Sequence, residues 1–359
     1  MGTLNVRLVG AGSLLALMVG AGGSAGVAEI DVVASIKPVH SLVAAVMQGV
    51  GEPVLLVKGT GSEHSYSLRP SEARALEQAE LVFWVGETME TFLIKPLQAL
   101  AGDAEVIELW QVPGLTLLPT REGGMWEAHE HGADHAGADV AHGEGEHADE
   151  HEAEGEHAKH DESEHAEHAE HAEELEAGAG HAHGETDMHI WLDPGNAKVL
   201  AAAIASALAD ADPDNAAIYR ANAGRLRQQL DELDHSLEDR LERVADRPYV
   251  VFHDAYQYFE HRYGVKAVGA ITINPTVRPS AQRLSEIHAR LEELDAACVF
   301  AEPQFEPTLV ETVVEGTSAR TGVLDPLGAA LDAGPEHYFQ LLNGLADSLV
   351  DCLGTAKSG

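Results

Sequence analysis

Two parts of this chain alternate short β-branched apolar runs with longer amphipathic segments, and that alternation restricts the fold more than any other feature. In the first part, residues 31–36, 54–57, 81–85 and 105–109 read as strands, and 38–50, 70–79 and 88–99 as helices. In the second, 249–252, 265–271, 297–301 and 322–324 read as strands, with helices over 256–263, 280–294, 308–319 and 335–353. Strand–helix alternation of this kind sets the strands parallel and covers the sheet with helices on both faces. The predicted fold class is α/β: two (β/α)4 lobes with parallel four-stranded sheets, joined by a long rigid α-helix.

That helix is predicted over 213–244, after an Ala-rich helix at 196–209. Asp212, Pro213 and Asp214 break the first helix and cap the second. Ile218, Leu226, Leu230, Leu233, Leu237 and Leu241 recur at helical spacing, with charges elsewhere. At 1.5 Å per residue the helix spans about 45 Å. A coiled-coil dimer is the alternative, but the apolar seam lasts only about two to three heptads. The expected organisation is an export signal at 1–28, a first lobe at 29–212, a linker helix at 213–245 and a second lobe at 246–359.

A low-complexity tract at 127–187 interrupts the first lobe. It holds 13 of the 21 histidines and 21 acidic residues against one Lys. With almost no apolar residue larger than Ala, it buries too little surface to offset the entropy of ordering, and a disordered or loosely helical loop is expected. Imidazoles among carboxylates read as ligands for divalent transition metals. His129, His131, His135, His142, His147, His151, His157, His160, His165, His168, His171, His181 and His183 are therefore candidate weak, auxiliary metal sites. An acidic solvated linker is the plainer alternative. The tract carries about −20 of the net charge of −38. So acidic a chain repels nucleic acid and anionic membranes and attracts cations.

Arg7, the apolar run at 8–19 and the small residues Gly26, Val27 and Ala28 form an export signal, with cleavage expected before Glu29. The run is short of the ~20 apolar residues of a membrane-spanning helix, though an uncleaved anchor is the runner-up. The mature chain is expected outside the cytoplasm. Cys298 and Cys352 are the only cysteines. In an exported protein such a pair suggests one disulfide, with two buried free thiols as the alternative.

Ligands of open α/β sheets bind beyond the carboxyl ends of strands. Glu63 and His64 follow the second predicted strand, and His189 follows the tract. In the second lobe His253 and Asp254, Glu302 and Asp325 stand at strand ends. If the lobes face each other, His64, His189 and His253 converge. Three imidazoles with a carboxylate or water suit Zn²⁺, whereas Mn²⁺ favours more carboxylates. Asp254 is a candidate to orient a ligand, or equally an N-cap. His40, His235, His261, His288 and His337 read as structural, and Trp84, Trp191 and Phe252 as core or cleft wall. No nucleophile elbow, phosphate-binding loop, dinucleotide fingerprint or His-Glu-x-x-His pair occurs, so enzyme readings are weak.

The stretches GSEHSYSLRPS, DMHIWLDP, VFHDAYQYF and VLDPLG, in this order, resemble the metal-specific solute-binding proteins of ABC importers (cluster A-I), and most of all the zinc-binding ZnuA type. The resemblance runs from about residue 30 to residue 353. It implies a periplasmic, monomeric receptor that does no catalysis and hands Zn²⁺ to a membrane permease. It also implies His64, His189 and His253 as ligands, Glu63 or water as the fourth, and Asp325 as a nearby carboxylate or less favoured ligand. Manganese relatives are similar but place a Glu at position 253, and some zinc-type relatives carry a disulfide where Cys298 and Cys352 fall. The competing readings are a periplasmic zinc buffer or chaperone built on the tract, a manganese or nickel receptor of the same fold, and a zinc hydrolase.

Overall fold

The computed structural model describes residues 2, 30–121, 126, 186–273 and 275–354. The expected export signal, apart from Gly2, and the tract, apart from Thr186 and Asp187, lie outside the described residues, as do the thirteen tract histidines.

The first lobe runs β1 (Val32–Ala34), α1 (Lys37–Met47), β2 (Val54–Leu55), α2 (Pro70–Gln78), β3 (Leu81–Trp84), α3 (Thr91–Leu100) and β4 (Glu105–Glu108). Then come α4 (Pro194–Ala211) and the long α5 (Ala216–Leu241), which has a single 3-10 turn at each end. The second lobe runs β5 (Tyr249–His253), α6 (Gln257–Tyr263), β6 (Ala267–Thr272), α7 (Ala281–Glu293), β7 (Cys298–Ala301), α8 (Thr308–Val314), β8 (Arg320–Val323) and α9 (His337–Gly354). Each lobe holds one four-stranded sheet, ordered β2-β1-β3-β4 and β6-β5-β7-β8, and every pairing is parallel.

The central strands are almost wholly apolar, His253 at the end of β5 apart, because both their faces are covered. Alternation decides which layer each side chain joins. In β1, β3 and β5, Val32, Ala34, Leu81, Phe83, Tyr249 and Val251 point into one large core. Val33, Val82 and Trp84 point the other way, under α2 and α3. Val250 and Phe252 do the same in the second lobe. The large core runs without a break through both lobes, from Ile30 to Leu353. Helix α5 lies against α1, α4 and α9, burying Leu226, Leu230, Leu233, Leu237 and Leu241 along one side. Its 26 residues give it a length of about 39 Å.

Local chemistry sets the helix ends. Pro194 opens α4 beside Asp193, whose carboxylate accepts from the Gly195 N–H at 2.7 Å. Helix α3 starts at Thr91, three residues later than expected. The Glu90 carboxylate takes the N–H groups of Val85 and Gly86 and holds the chain in a turn. Helix α8 stops at Val314, short of the expected end at 319, because Gly316 turns the chain at φ +80°.

After β4 the chain crosses to the second lobe. Thr116 exchanges hydrogen bonds with the Asn196 side chain, and the Leu118 N–H donates to the Tyr258 hydroxyl. Pro119 forms an antiparallel bridge with Thr186, and the Asp187 N–H donates to the Leu118 carbonyl at 2.9 Å. The chain before and after the His-rich tract is thereby paired beside α6. Cys298 and Cys352 form a disulfide joining the start of β7 to the end of α9.

Candidate metal centre

Glu63 and His64 sit in the loop after β2. Ser65 bridges back to Ser62, whose hydroxyl accepts from the His64 N–H at 3.2 Å. Gly61 packs so closely on the Tyr66 ring that a Cβ there would lie 2.8 Å from it. His189 precedes a single 3-10 turn (Ile190–Leu192), and His253 is the last residue of β5. Four residues from three separate segments thus arrive at one point between the lobes.

Glu63, His64, His189 and His253 each present one ligand atom, all within 4.8 Å of one another. The Nε2 atoms of His189 and His253 face each other at 3.4 Å. Glu63 Oε1 is 3.8 Å from His64 Nε2 and 3.9 Å from His189 Nε2. Glu63, His189 and His253 are buried, and the His64 side chain is the most open at 19 % exposure. On the far side of the rings, His189 Nδ1 lies 2.8 Å from Asp187 Oδ1. His253 Nδ1 lies 2.6 and 2.8 Å from the two oxygens of Glu302.

The electrostatics favour a cation here. Burial lifts the Glu63 carboxyl above the usual carboxylate range, against the pull of His253 and His189. Burial, followed by the neighbouring His253 and His189, holds the His64 imidazole well below the ordinary histidine range. Burial also pulls His253 down, but Glu302, together with Glu63 and Asp254, outweighs it and the net direction is up. Glu63 Oε1 and His64 Nε2 are buried with no hydrogen-bond partner among the described residues, an arrangement that native interiors avoid. A divalent ion among three nitrogens and one oxygen would satisfy both atoms, and this donor set suits tetrahedral Zn²⁺.

The model of the family described as "Zinc-uptake complex component A periplasmic" matches residues 32–352. The chain belongs to the ZnuA family. It is 52 % identical over 322 residues to the high-affinity zinc uptake system protein ZnuA of Brucella abortus (strain 2308), covering 90 % of this chain and 91 % of that one. It is 38 % identical to the protein of the same name from Yersinia pestis, covering 91 % and 92 %. A solved structure described as the crystal structure of ZnuA superposes with a TM-score of 0.66 at 24 % identity, covering 90 % of this chain and 99 % of that one.

The other residues singled out in the sequence fall elsewhere in this ZnuA-family fold. Asp325 is outside the cluster: its Oδ1 accepts from Gln304 and from the Leu327 N–H, and its Oδ2 from the Ala329 N–H. Asp254 turns away from the centre to Arg121. His40, His288 and His337 bond to the carbonyls of Pro53, Val313 and Leu327. Trp191 is fully buried, its indole N–H donating to the Pro326 carbonyl, with its ring 5.3 Å from that of His189. Asp187 was not singled out in the sequence beside His189, and of the two readings of Asp254, ligand orienter or N-cap, the first falls to Glu302 instead. The signal for Asp187 was available in its position two residues before His189.

Proposed function

We propose that this chain is the extracytoplasmic zinc receptor of an ABC importer, capturing Zn²⁺ between its lobes and passing it to a membrane permease. The observation that carries this reading is the meeting of Glu63, His64, His189 and His253 within 4.8 Å, three of the four buried. His64, His189 and His253 act as ligands through Nε2, and Glu63 completes the shell. An ion enters past His64, the most open of the four, and sheds its water as the other three groups replace it. Asp325 stays outside the shell and holds the loop before α9. The chain acts as a monomer and does no chemistry on its cargo, which leaves as it arrived.

Under this reading, residues 1–28 direct export to the periplasm and are removed. The chain then divides as a lobe at 29–212, a linker helix at 213–245 and a lobe at 246–359. The thirteen histidines of the tract bind further metal more weakly, since a segment without a packed core must be ordered as it binds.

The test is a competitive zinc titration against a chromophoric chelator on the mature protein, a form lacking 127–185, and His64→Ala with His253→Ala. A nanomolar site is worth about −12 kcal/mol and a micromolar one about −8, so the two classes separate. One tight site that survives deletion and vanishes in the double variant is expected. Tight binding that vanishes with the tract and survives the double substitution would make the chain a zinc buffer. Competition with Mn²⁺ and Ni²⁺ in the same cell tests the ion.

A further inference from the structure

Two carboxylates outside the ligand cluster stand in matching places. Asp187 Oδ1 meets His189 Nδ1 at 2.8 Å, and Glu302 meets His253 Nδ1 at 2.6 and 2.8 Å. Both acids are buried, at 5 % and 3 % exposure. A carboxylate accepts, so each ring directs its Nδ1–H outward and leaves the Nε2 lone pair facing the centre. That disposition brings two lone pairs together at 3.4 Å, which is unfavourable without a cation near both.

Each acid is itself held. Asp187 Oδ1 also accepts from the His189 N–H at 3.0 Å, and its Oδ2 from Gln257 Nε2 at 3.1 Å. Its carbonyl accepts from the Tyr258 hydroxyl at 2.6 Å. Both of those partners belong to α6 of the second lobe. Glu302 follows β7, next to β5, and its Oε1 also accepts from the His253 N–H at 3.3 Å. His64 has no carboxylate against its Nδ1 among the hydrogen bonds of the described residues.

We infer that Asp187 and Glu302 are a pair of positioning residues that fix the tautomer and aim of His189 and His253, leaving His64 as the one imidazole free to swing. The inference rests on the receptor reading above. Two locked ligands make a two-coordinate seat, and the third closes over the ion. Asp187 is also where the His-rich tract rejoins the fold, so the end of that tract and the aim of a ligand are set by the same side chain.

The experiment compares Asp187→Ala, Asp187→Asn, Glu302→Ala and Glu302→Gln with the unmodified mature protein. The readouts are zinc affinity by chelator competition and the visible spectrum of the Co²⁺ form. The expected result is a 10- to 100-fold loss of zinc affinity in each Ala variant, the usual range for removing such a partner. The Co²⁺ bands should weaken and shift, and the amide variants, which still accept from Nδ1–H, should recover most of both. Thermal unfolding of the metal-free proteins identifies any variant that fails to fold. If Glu302→Ala does, Glu302→Gln and the Asp187 pair still decide. Ala variants that bind zinc within threefold of the unmodified protein, with unchanged Co²⁺ spectra, would overturn the inference and leave the receptor reading intact. Amide variants no better than the Ala ones would also overturn it. An unmodified protein without a tight site would overturn the receptor reading instead.

Discussion

Arg121 reaches Asp254 across 133 residues and donates from Nε to both carboxylate oxygens, at 3.0 and 3.1 Å. Its Nη1 donates to Glu260 at 2.8 Å, and the Trp126 ring lies over the guanidinium at 3.6 Å. Arg121 ends the segment that crosses from β4, and Asp254 follows His253. One cation is thus shared by two nearly buried carboxylates beside the candidate metal centre.

Arg121→Ala should therefore destabilise the protein severely. Removing one member of a buried charge cluster typically costs about 3–5 kcal/mol, because the partners remain buried and unpaired. Denaturant unfolding of the metal-free protein measures this. A loss below about 1 kcal/mol, the level of an exposed pair, would show the cluster to be solvated.

Glu90 is fully buried, and burial raises its carboxyl to about 7, against hydrogen bonds from the Gly86 and Val85 N–H groups that lower it. The folded protein keeps this proton up to about pH 7, while the unfolded chain releases it near 4.5. Stability from this group is thus fully present below the lower value and lost as pH rises through the upper one, by about 3 kcal/mol. Glu90→Gln keeps an acceptor for Val85 and Gly86 but removes the titration. The variant should gain stability over the native protein at pH 8 and lose that advantage by pH 5, as read from urea midpoints at the two pH values. An equal difference at both would refute the assignment.

Zinc binding should weaken with acid earlier than free histidine suggests. The ion needs neutral imidazoles, and Glu302 raises His253 above its ordinary 6.5 despite burial. A proton therefore begins to compete above pH 6.5. His64, held well below that value, adds no competition in the same window. Chelator competition from pH 8 to pH 6 should show affinity falling with a slope approaching at least one proton per ion. A flat profile over that range would contradict it.

The disulfide should matter for stability and little for the metal. Cys298 begins β7 and Glu302 follows its other end, so the bond lies at the opposite end of the strand from the candidate metal centre. Its sequence separation is 54 residues, for which the chain-entropy estimate is about 4 kcal/mol. Cys298→Ala with Cys352→Ala should lower the denaturant midpoint accordingly while zinc affinity stays within threefold. A large loss of affinity would mean that strain reaches the centre through β7.

The strands were legible because central parallel strands are apolar on both faces, as in Leu81–Trp84 and Tyr249–His253. Helix ends were less so, because side chains decide them: the Glu90 carboxylate delays α3 by capturing the Val85 and Gly86 N–H groups and holding the chain in a turn. The centre was legible as polar residues at strand ends. What escaped was the pairing of acids with rings. Asp254 adjoins His253 in sequence, but the parallel register that sets Tyr249 beside Cys298 carries on to set His253 beside Glu302. Neighbouring strands, not neighbouring residues, chose that partner, and no spacing within one motif contains it.

The unbroken apolar core beneath both sheets has a consequence for how the molecule comes apart. Leu226 and Leu237 on α5, Val39 on α1 and Leu345 on α9 belong to one cluster, so neither half keeps a complete interior once the other has melted. The two halves should therefore form a single foldon, with one calorimetric transition whose van't Hoff and calorimetric enthalpies agree. An ion bound between them would raise the melting temperature of both together, and cargo exchange would proceed through side chains and loops at the rim while the interior stays shut.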